Sequence, residues 1–433
     1  MMKKFRGYTL DKPKIRCLVQ DGQQEDSKLL LLDEKVQVLT SLSEELQEVV
    51  RSEALESCPY ELSLGYNYLS TQQVLKKLLP VGVEAPSSFE CVGHIAHLNL
   101  REEQLPYKFI IGQVLLDKNA QLKTVVNKTG NIESEFRVFP MEVIAGIHST
   151  ETEVVQHGTR FKLDFAKVYW NSRLETEHKR LIALFDSEDT VVDIMAGIGP
   201  FAVPAAQKGC TVYANDLNPE SVHYMRKNVE LNRIRKNTHV FNMDGRAFVQ
   251  LLLASDERHA KSLPTGEAAT ARGSNEVEIP DTYRPQDKGL LFQHAIMNLP
   301  ASAVEFLDAF RGAFNADRWK DHPLPTVHVY TFKKGPETDE DVISKVEHYL
   351  GGKLEESPVI HLVRDVAPSK LMLCVSFKVP RAVAFWRSTA ETDGSILECH
   401  HLHEDPQNPS SSPDGVQEFS SLKRQRIEQS EST

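Results

Sequence analysis

The rhythm of apolar and polar positions changes along the chain. Between residues 151 and 380, near-continuous apolar runs alternate with amphipathic ones. "TVVDIM" leads to "PFAVPAAQKG", "CTVYANDL" to "PESVHYMRKNVELNRI", and "THVFNMD" to "GRAFVQLLLA". After a break, "HAIMNLP" leads to "SAVEFLDAFRGAF" and "TVHVYTF" to "DEDVISKVEHYLGG". Each pair predicts a strand followed by a crossover helix, the pattern of a doubly wound parallel α/β sheet. "VIHLVRDVAP" and "LMLCVSFKVP" have no helix between them, so the sheet is expected to close with an antiparallel hairpin.

Residues 58–150 predict a smaller α+β domain. "STQQVLKKLLP" reads as a helix stopped by Pro80, and "CVGHIAHLNL" and "KFIIGQVLLD" read as strands. Residues 1–57 form a small N-terminal domain with one helix in "SLSEELQEVVRSEALES", and no pattern there indicates a function. Residues 255–288 are too poor in apolar side chains to build a core, and predict a disordered insertion. The tail, 381–433, is rich in Ser, Pro and Glu and is expected to be disordered, with "SLKRQRIE" as a weak basic patch.

Composition changes the picture little. A chain of 433 residues is long for one core, and 40% hydrophobic with 26% charged residues fits a globular protein. No apolar run is long enough to cross a bilayer, so no membrane partner is expected. Six scattered cysteines with no C-x-x-C pair argue for reduced thiols over a disulfide frame or zinc site. Net charge of −11 argues against nucleic acid only until its distribution is read. Residues 157–181 carry six Lys or Arg against three acids, whereas 381–433 carry five against nine. The cationic stretch lies just before the first strand of the sheet.

That strand runs into "AGIGPF", where Gly197 and Gly199 allow backbone to approach a ligand closely. The third glycine of a dinucleotide fingerprint is missing, because Ala202 stands there. Asp216 ends the second strand, 19 residues after Gly197, where a carboxylate can bind both hydroxyls of a ribose. Asp244 and Gly245 end the third, placed to meet an adenine edge, and Asn298 ends the fourth, stiffened by Pro300. The Asn298 amide offers a donor and an acceptor to a planar nitrogen heterocycle. Asp193, just before the turn, can accept from a cofactor's amino group or brace the loop. This series fits a class I methyltransferase binding S-adenosyl-L-methionine, with Leu217 next to the ribose acid. A dehydrogenase is disfavoured by Ala202 and by the closing hairpin.

The segments "GHIAHLNL", "LPYKFIIGQVLLD", "TVVNK", "EFRVFPMEVIAG", "FAKVYWNSRLETEHKRL", "DIMAGIGPFAVPAA", "NDLNPESV" and "AIMNLPASAVEFLD" carry a resemblance. From about residue 58 to 380 the chain resembles the eukaryotic and archaeal tRNA (guanine-37 N1)-methyltransferases. The first 55 residues resemble them loosely; the insertion and the tail do not. The resemblance implies methylation of N1 of guanosine 37, next to the anticodon, in support of reading-frame maintenance. It also implies an N-terminal domain that senses the tRNA elbow, a middle RNA-binding domain, and a monomer. Relatives of this kind work in cytoplasm, nucleus and mitochondrial matrix.

N1 of guanine carries a proton and needs a base to remove it, and negative charge then grows on the neighbouring carbonyl oxygen. The resemblance places the base at Glu177, the cation at Arg137, a base-holding amide at Asn298, and a cofactor contact at His178. Glu175 is an equally available acid, Arg137 could pair with Glu133 or Glu135, and Tyr169 and Trp170 could be core or stacking aromatics. Lys108, Lys123, Lys128 and the basic residues of 160–180 would hold phosphates or simply be solvated. His94 and His97 alternate along a strand, and "CHHLH" (399–403) sits in the tail; neither is assigned to a metal. Two other readings stay open: aminocarboxypropyl transfer for wybutosine synthesis on the same scaffold, and a catalytically silent RNA-binding protein.

Overall fold

The computed structural model describes residues 5–387 except 6, 13–14, 22–26, 64, 131–135, 235, 255–279 and 281–288. The expected disordered insertion except Pro280, most of the expected tail including "CHHLH", and Glu133 and Glu135 lie outside the described residues.

The chain begins with a short ladder of β1 (Leu18–Gln20) and β2 (Lys28–Leu30), followed by helix α1 (Glu44–Ser52). Phe5, Leu42 and Leu46 form its small core. Helix α2 (Thr71–Leu78) starts where predicted, because Ser70 and Gln73 exchange capping-box hydrogen bonds. Next come β3 (Glu90–Val92), β4 (Ile95–Leu98), α3 (Lys108–Lys118), β5 (Thr124–Lys128) and β6 (Met141–Gly146), giving a four-stranded sheet in the order β3-β4-β5-β6.

Helix α3 is a correction: "KFIIGQVLLD" is not a strand. Its buried residues are Ile111, Gly112, Val114 and Leu115, a helical face, whereas Phe109 and Ile110 are exposed. An unbroken apolar run carries no period, so the sequence does not separate the two outcomes. Gly112 lets the helix lie close on β6, since a Cβ there would sit 3.0 Å from Cγ1 of Ile144.

A two-stranded hairpin, β7 (Glu151–Gln156) and β8 (Thr159–Asp164), precedes helix α4 (Glu175–Ala183). The main sheet follows: β9 (Thr190–Asp193), α5 (Ala202–Lys208), β10 (Thr211–Asn215), α6 (Pro219–Leu231), β11 (Thr238–Phe241), α7 (Gly245–Leu253), β12 (His294–Met297), β13 (Thr326–Lys334), α8 (Asp339–Leu350), β14 (Val359–Ala367) and β15 (Lys370–Lys378). Its strand order is β11-β10-β9-β12-β13-β15-β14, parallel through β13 and antiparallel for the closing pair. The topology reverses direction between β9 and β12, the place where open α/β sheets bind ligands.

Alternate strand residues build two cores. Val191, Val212, Ile296 and Tyr330 pack with α4, α5 and α6 on one face. Val192, Tyr213, Val327 and Val329 pack with α7 and α8 on the other. A further core joins Ile95 and Val126 of the middle sheet to Phe161, Leu163 and Trp170, and on to Ile198 and Val203. Thus the hairpin and the strand-to-helix segment weld the middle domain to the glycine turn.

Two smaller differences have physical reasons. "SAVEFLDAFRGAF" forms 3-10 turns over Ala303–Phe310, and its buried Val304, Leu307 and Phe310 recur every three residues, the 3-10 period. The packed chain also runs past 380. A last helix, α9 (Arg381–Ala384), buries Val383 and Ala384, and the Gly312 N–H donates to the Val383 carbonyl at 2.9 Å.

Candidate active site

The glycine turn leaves β9 at Asp193. Gly197 has φ +57° and Gly199 φ +92°, both in the left-handed region that favours glycine. Their reasons differ. A Cβ on Gly199 would lie 2.8 Å from Cγ2 of Val203, whereas one on Gly197 would meet nothing within 4 Å. Gly199 is needed for the protein's own packing, and Gly197 borders open space.

Asp216 faces this turn. Its Oδ2 accepts the Gly197 N–H at 2.8 Å and its Oδ1 accepts the Asn218 N–H at 2.9 Å. Burial pushes its carboxyl up to about 6, against the pull of those two amides. Asp193 is fully buried, and neither of its oxygens has a hydrogen bond of good geometry among the described residues. Burial first, then the Asp216 charge, holds its carboxyl well above the usual range; the Met195 amide pulls the other way. A buried carboxyl without partners costs about 1–3 kcal/mol or more, so it calls for an explanation.

Past the third strand, Asp244 and Gly245 open helix α7. Asp244 caps α7, its Oδ1 accepting from Arg246 N at 2.9 Å and Ala247 N at 3.2 Å. Gly245 packs tightly, since a Cβ there would lie 3.1 Å from Ile194 Cγ2 and 3.3 Å from Phe306 Cδ1. The Leu217 and Asp216 carbonyls accept the Asn242 amide at 3.0 and 2.7 Å. Sequence reasoning missed Asn215. Its buried amide donates to the Ile194 and Met243 carbonyls and accepts the Met243 N–H, tying the tips of β9, β10 and β11 together.

Asn298 follows Met297, the last residue of β12 paired with Val329 of β13. Asn298 comes one residue past this last pair, and Tyr330 one residue past it on β13. The Asn298 Oδ1 is buried without a partner among the described residues. Arg137 arrives from the middle domain, where its Nη2 donates to Ser302 Oγ at 3.2 Å, four residues beyond Asn298. Its backbone is left-handed, φ +56°, a strained state for arginine.

Glu177, on α4, is 4% exposed and ringed by donors. Arg180 grips it with Nε to Oε2 at 2.6 Å and Nη2 to Oε1 at 2.7 Å. Tyr330 donates its hydroxyl to Oε1 at 2.7 Å, and His361 Nε2 lies 3.4 Å from Oε2. So Arg137 is tied to the segment after Asn298 and Glu177 to the strand beside it, through Ser302 and Tyr330. Among the described hydrogen bonds, none joins Arg137, Glu177 and Asn298 directly. Tyr330 is not singled out by sequence, since a tyrosine inside "TVHVYTF" looks like any core residue, and Arg180, among the basic residues of 160–180 expected to hold phosphates or be solvated, grips Glu177 instead. Glu175 pairs instead with His157 at 3.5 Å.

His178 is buried, edge-on to Phe201 with ring centroids 4.7 Å apart, and its Nδ1 lies 3.2 Å from Gln156 Oε1. Burial, then His157, pushes it down to about 3, so its ring is neutral at physiological pH. It lines a cleft of about 410 Å³ with Gln156, Lys179, Pro200 and Pro204. Trp170 is a core residue against Phe161, whereas Tyr169 is exposed. Several expected phosphate ligands are already ion-paired: Lys108 with Glu142, Arg160 with Glu153, Lys167 with Glu220, Arg173 with Glu90. Lys128 stands over the Phe139 ring at 3.9 Å. His94 and His97 contact Thr152 and Glu90.

Residues 152–258 match the TRM5/TYW2 methyltransferase domain, and 71–150 match the TYW2 N-terminal domain. The chain is 45% identical over 395 residues to a tRNA (guanine(37)-N(1))-methyltransferase of Phytophthora infestans, covering 89% of this chain and 87% of that protein. Like-named proteins of Schizosaccharomyces pombe and Homo sapiens are 42% and 38% identical, covering 87% and 94% of this chain and 87% and 74% of theirs. In fold it is similar to the structure of aTrm5 with tRNALeu (TM-score 0.57, 21% identity, 87% of this chain and 94% of that one) and to Trm5b of Pyrococcus abyssi (TM-score 0.55, 23% identity, the same coverage). The domain models are shared with or named for the sister branch, but these relatives match across nearly the whole chain under one name. The chain belongs to the tRNA (guanine(37)-N(1))-methyltransferase family.

Proposed function

We propose that this chain transfers the methyl group of S-adenosyl-L-methionine to N1 of guanosine 37 in tRNA, with Glu177 as the base, Arg137 as the cation beside the carbonyl oxygen, and Asn298 as the base-holding amide. The observation that carries it is the buried Asn298 carboxamide oxygen, without a partner among the described residues, which comes one residue past the Met297–Val329 pair, as Tyr330, the donor to Glu177, does on the neighbouring strand.

The residues present fit the cofactor. Asp193 offers two buried oxygens, with no hydrogen bond of good geometry among the described residues, suited to a cationic amino group, and Gly197 borders open space. Asp216 and Leu217 would hold the ribose, Asp244 and Gly245 the adenine, and Gly199 and His178 would shape the turn and its flank. When bound, the cofactor supplies an electrophilic methyl on sulfur, whose bonding pair stays with sulfur. The chain's own work is alignment and charge. Glu177 takes the N1 proton, which frees a lone pair on N1. Arg137 balances charge on the carbonyl oxygen, and Asn298 fixes the ring plane. A base in the anticodon loop is already unpaired, so drawing it into this edge costs little.

By resemblance, residues 1–57 meet the tRNA elbow and the enzyme acts as a monomer, in cytoplasm and nucleus and also in the mitochondrial matrix. The "N-L-P" step after β12 favours methyl over aminocarboxypropyl transfer. Incubating unmodified tRNA with the protein and S-adenosylmethionine, then mapping nucleosides, tests the reading. The expected products are 1-methylguanosine at position 37 and S-adenosylhomocysteine. Methylthioadenosine would point to the sister reaction. Asn298→Ala should lower kcat by roughly 10²-fold, the usual cost of one positioned hydrogen-bond group; an unchanged rate would remove Asn298 from the site.

A further inference from the structure

A carboxylate that collects a proton in every turnover must also lose it, and Glu177 is nearly closed to water. It is 4% exposed, and its oxygens face Arg180 on α4, Tyr330 on β13 and His361 on β14. Cys374 on β15 stands opposite His361 in the ladder and completes the ring of titratable groups. Three of these four keep their protons near neutrality. The hydrogen bond to Glu177 holds Arg180 above its usual range. Burial pushes Tyr330 well above the phenol range and pushes Cys374 up to about 11. His361 is the group open to solvent: its side chain is 41% exposed, and its Nε2 lies 3.4 Å from Oε2 of the glutamate. Imidazole is the side chain suited to pass protons near neutral pH. The contact is also the longest of the four around the carboxylate, and the one not committed to a tight hydrogen bond.

We infer that His361, at the sheet's edge, carries the substrate proton from buried Glu177 to solvent between turnovers. The inference rests on the reading of Glu177 as the base. The N1–H bond breaks with its electron pair kept on N1, and the proton binds Oε2 of Glu177. It then passes to the lone pair on Nε2 of neutral His361, which restores the carboxylate. The imidazolium gives a proton to water. One proton leaves per methyl transferred, and no redox partner is involved. His361 acts through Glu177, so it is a positioning and relay residue and does not touch the guanine.

His361→Asn tests this, with His361→Gln as a second variant and thermal unfolding as the check that both fold. Expected is a kcat lowered ~10-fold or more, toward the lower end of what proton transfer contributes, with KM for tRNA unchanged. Free imidazole in the assay should restore the rate, because the position is open to solvent. In the ligand-free protein, the ring ¹⁵N resonances of His361 should move in Glu177→Gln. An unchanged kcat, a loss that imidazole does not restore, or unmoved ring resonances would overturn the relay. The two readings fail differently. A Glu177→Gln enzyme that keeps its rate removes the base, whereas one that loses it while His361→Asn matches the wild type removes only the relay.

Discussion

The hydroxyl of Tyr330 donates to Oε1 of Glu177 at 2.7 Å, a bond between residues 153 positions apart. It brings helix α4, which precedes the sheet, onto the fifth parallel strand, β13, one residue past the Met297–Val329 pair. Tyr330 is fully buried, and burial holds its phenol protonated, so it is a permanent donor to that carboxylate.

Tyr330→Phe should therefore act on both stability and rate. Loss of a buried hydrogen bond to a charged group is worth about 1.5–3 kcal/mol. The denaturant midpoint should fall with no change in slope, the mark of a stability change alone. With Arg180 left to hold Glu177, kcat should fall by roughly 10-fold, in the lower range for an acid–base group. A variant as stable as the wild type would show that the bond does not form in solution.

Asp193 and Asp216 predict a pH dependence of the ligand-free protein. Both carboxyls are raised by burial, so the folded protein binds more protons than the unfolded one. Stability from such groups is fully present below the ordinary carboxylate range and is lost as pH rises through the folded values. The fall contributed by Asp216 should lie between about 4 and about 6, and that from Asp193 should continue higher. Asp193→Asn should flatten the upper part of this curve and raise the unfolding midpoint at pH 8. It should also weaken S-adenosylmethionine binding by ~30-fold or more, the cost of removing one partner of a buried charged pair. Calorimetric unfolding from pH 4 to 8 and equilibrium dialysis check the two halves. A variant no more stable at pH 8 would mean that Asp193 is not an unpaired acid.

The two glycines of the turn should separate stability from binding. Gly199→Ala meets both a left-handed φ and a 2.8 Å approach to Val203, so it should cost about 1–3 kcal/mol of stability. Gly197→Ala has only the φ to oppose it, at about 1–2 kcal/mol. Its new methyl would project into open space at the glycine turn, so its larger effect should be on cofactor affinity. Unfolding midpoints and dissociation constants measured side by side decide this; equal effects on both would contradict the assignment.

Much of the site was legible because its chemistry sits at strand ends. A parallel strand that ends in Asp, in Asp-Gly or in Asn-x-Pro declares which residue will stand at the sheet's C-terminal edge, and Asp193, Asp216, Asp244 and Asn298 lie at or just past the ends of β9, β10, β11 and β12. Periodicity failed at α3, where an apolar run without alternation suits a strand or a helix equally. Only packing on β6 through Gly112 settled it. The same limit hid Tyr330, Ser302 and His361. Each lies in a run whose local pattern is already explained by core packing or by solvation.

By itself the sequence determined the succession of strands along the main sheet, the closing hairpin, the glycine turn and the kind of cofactor it suits. These are local properties, set by residue period, by glycine's freedom at positive φ and by which side chain ends a strand. Only the tertiary structure decided how Glu177 is held and what lies around it. That depends on contacts made across α4, β13 and β14, and burial and hydrogen bonding between residues distant in sequence arise only when the sheet is assembled.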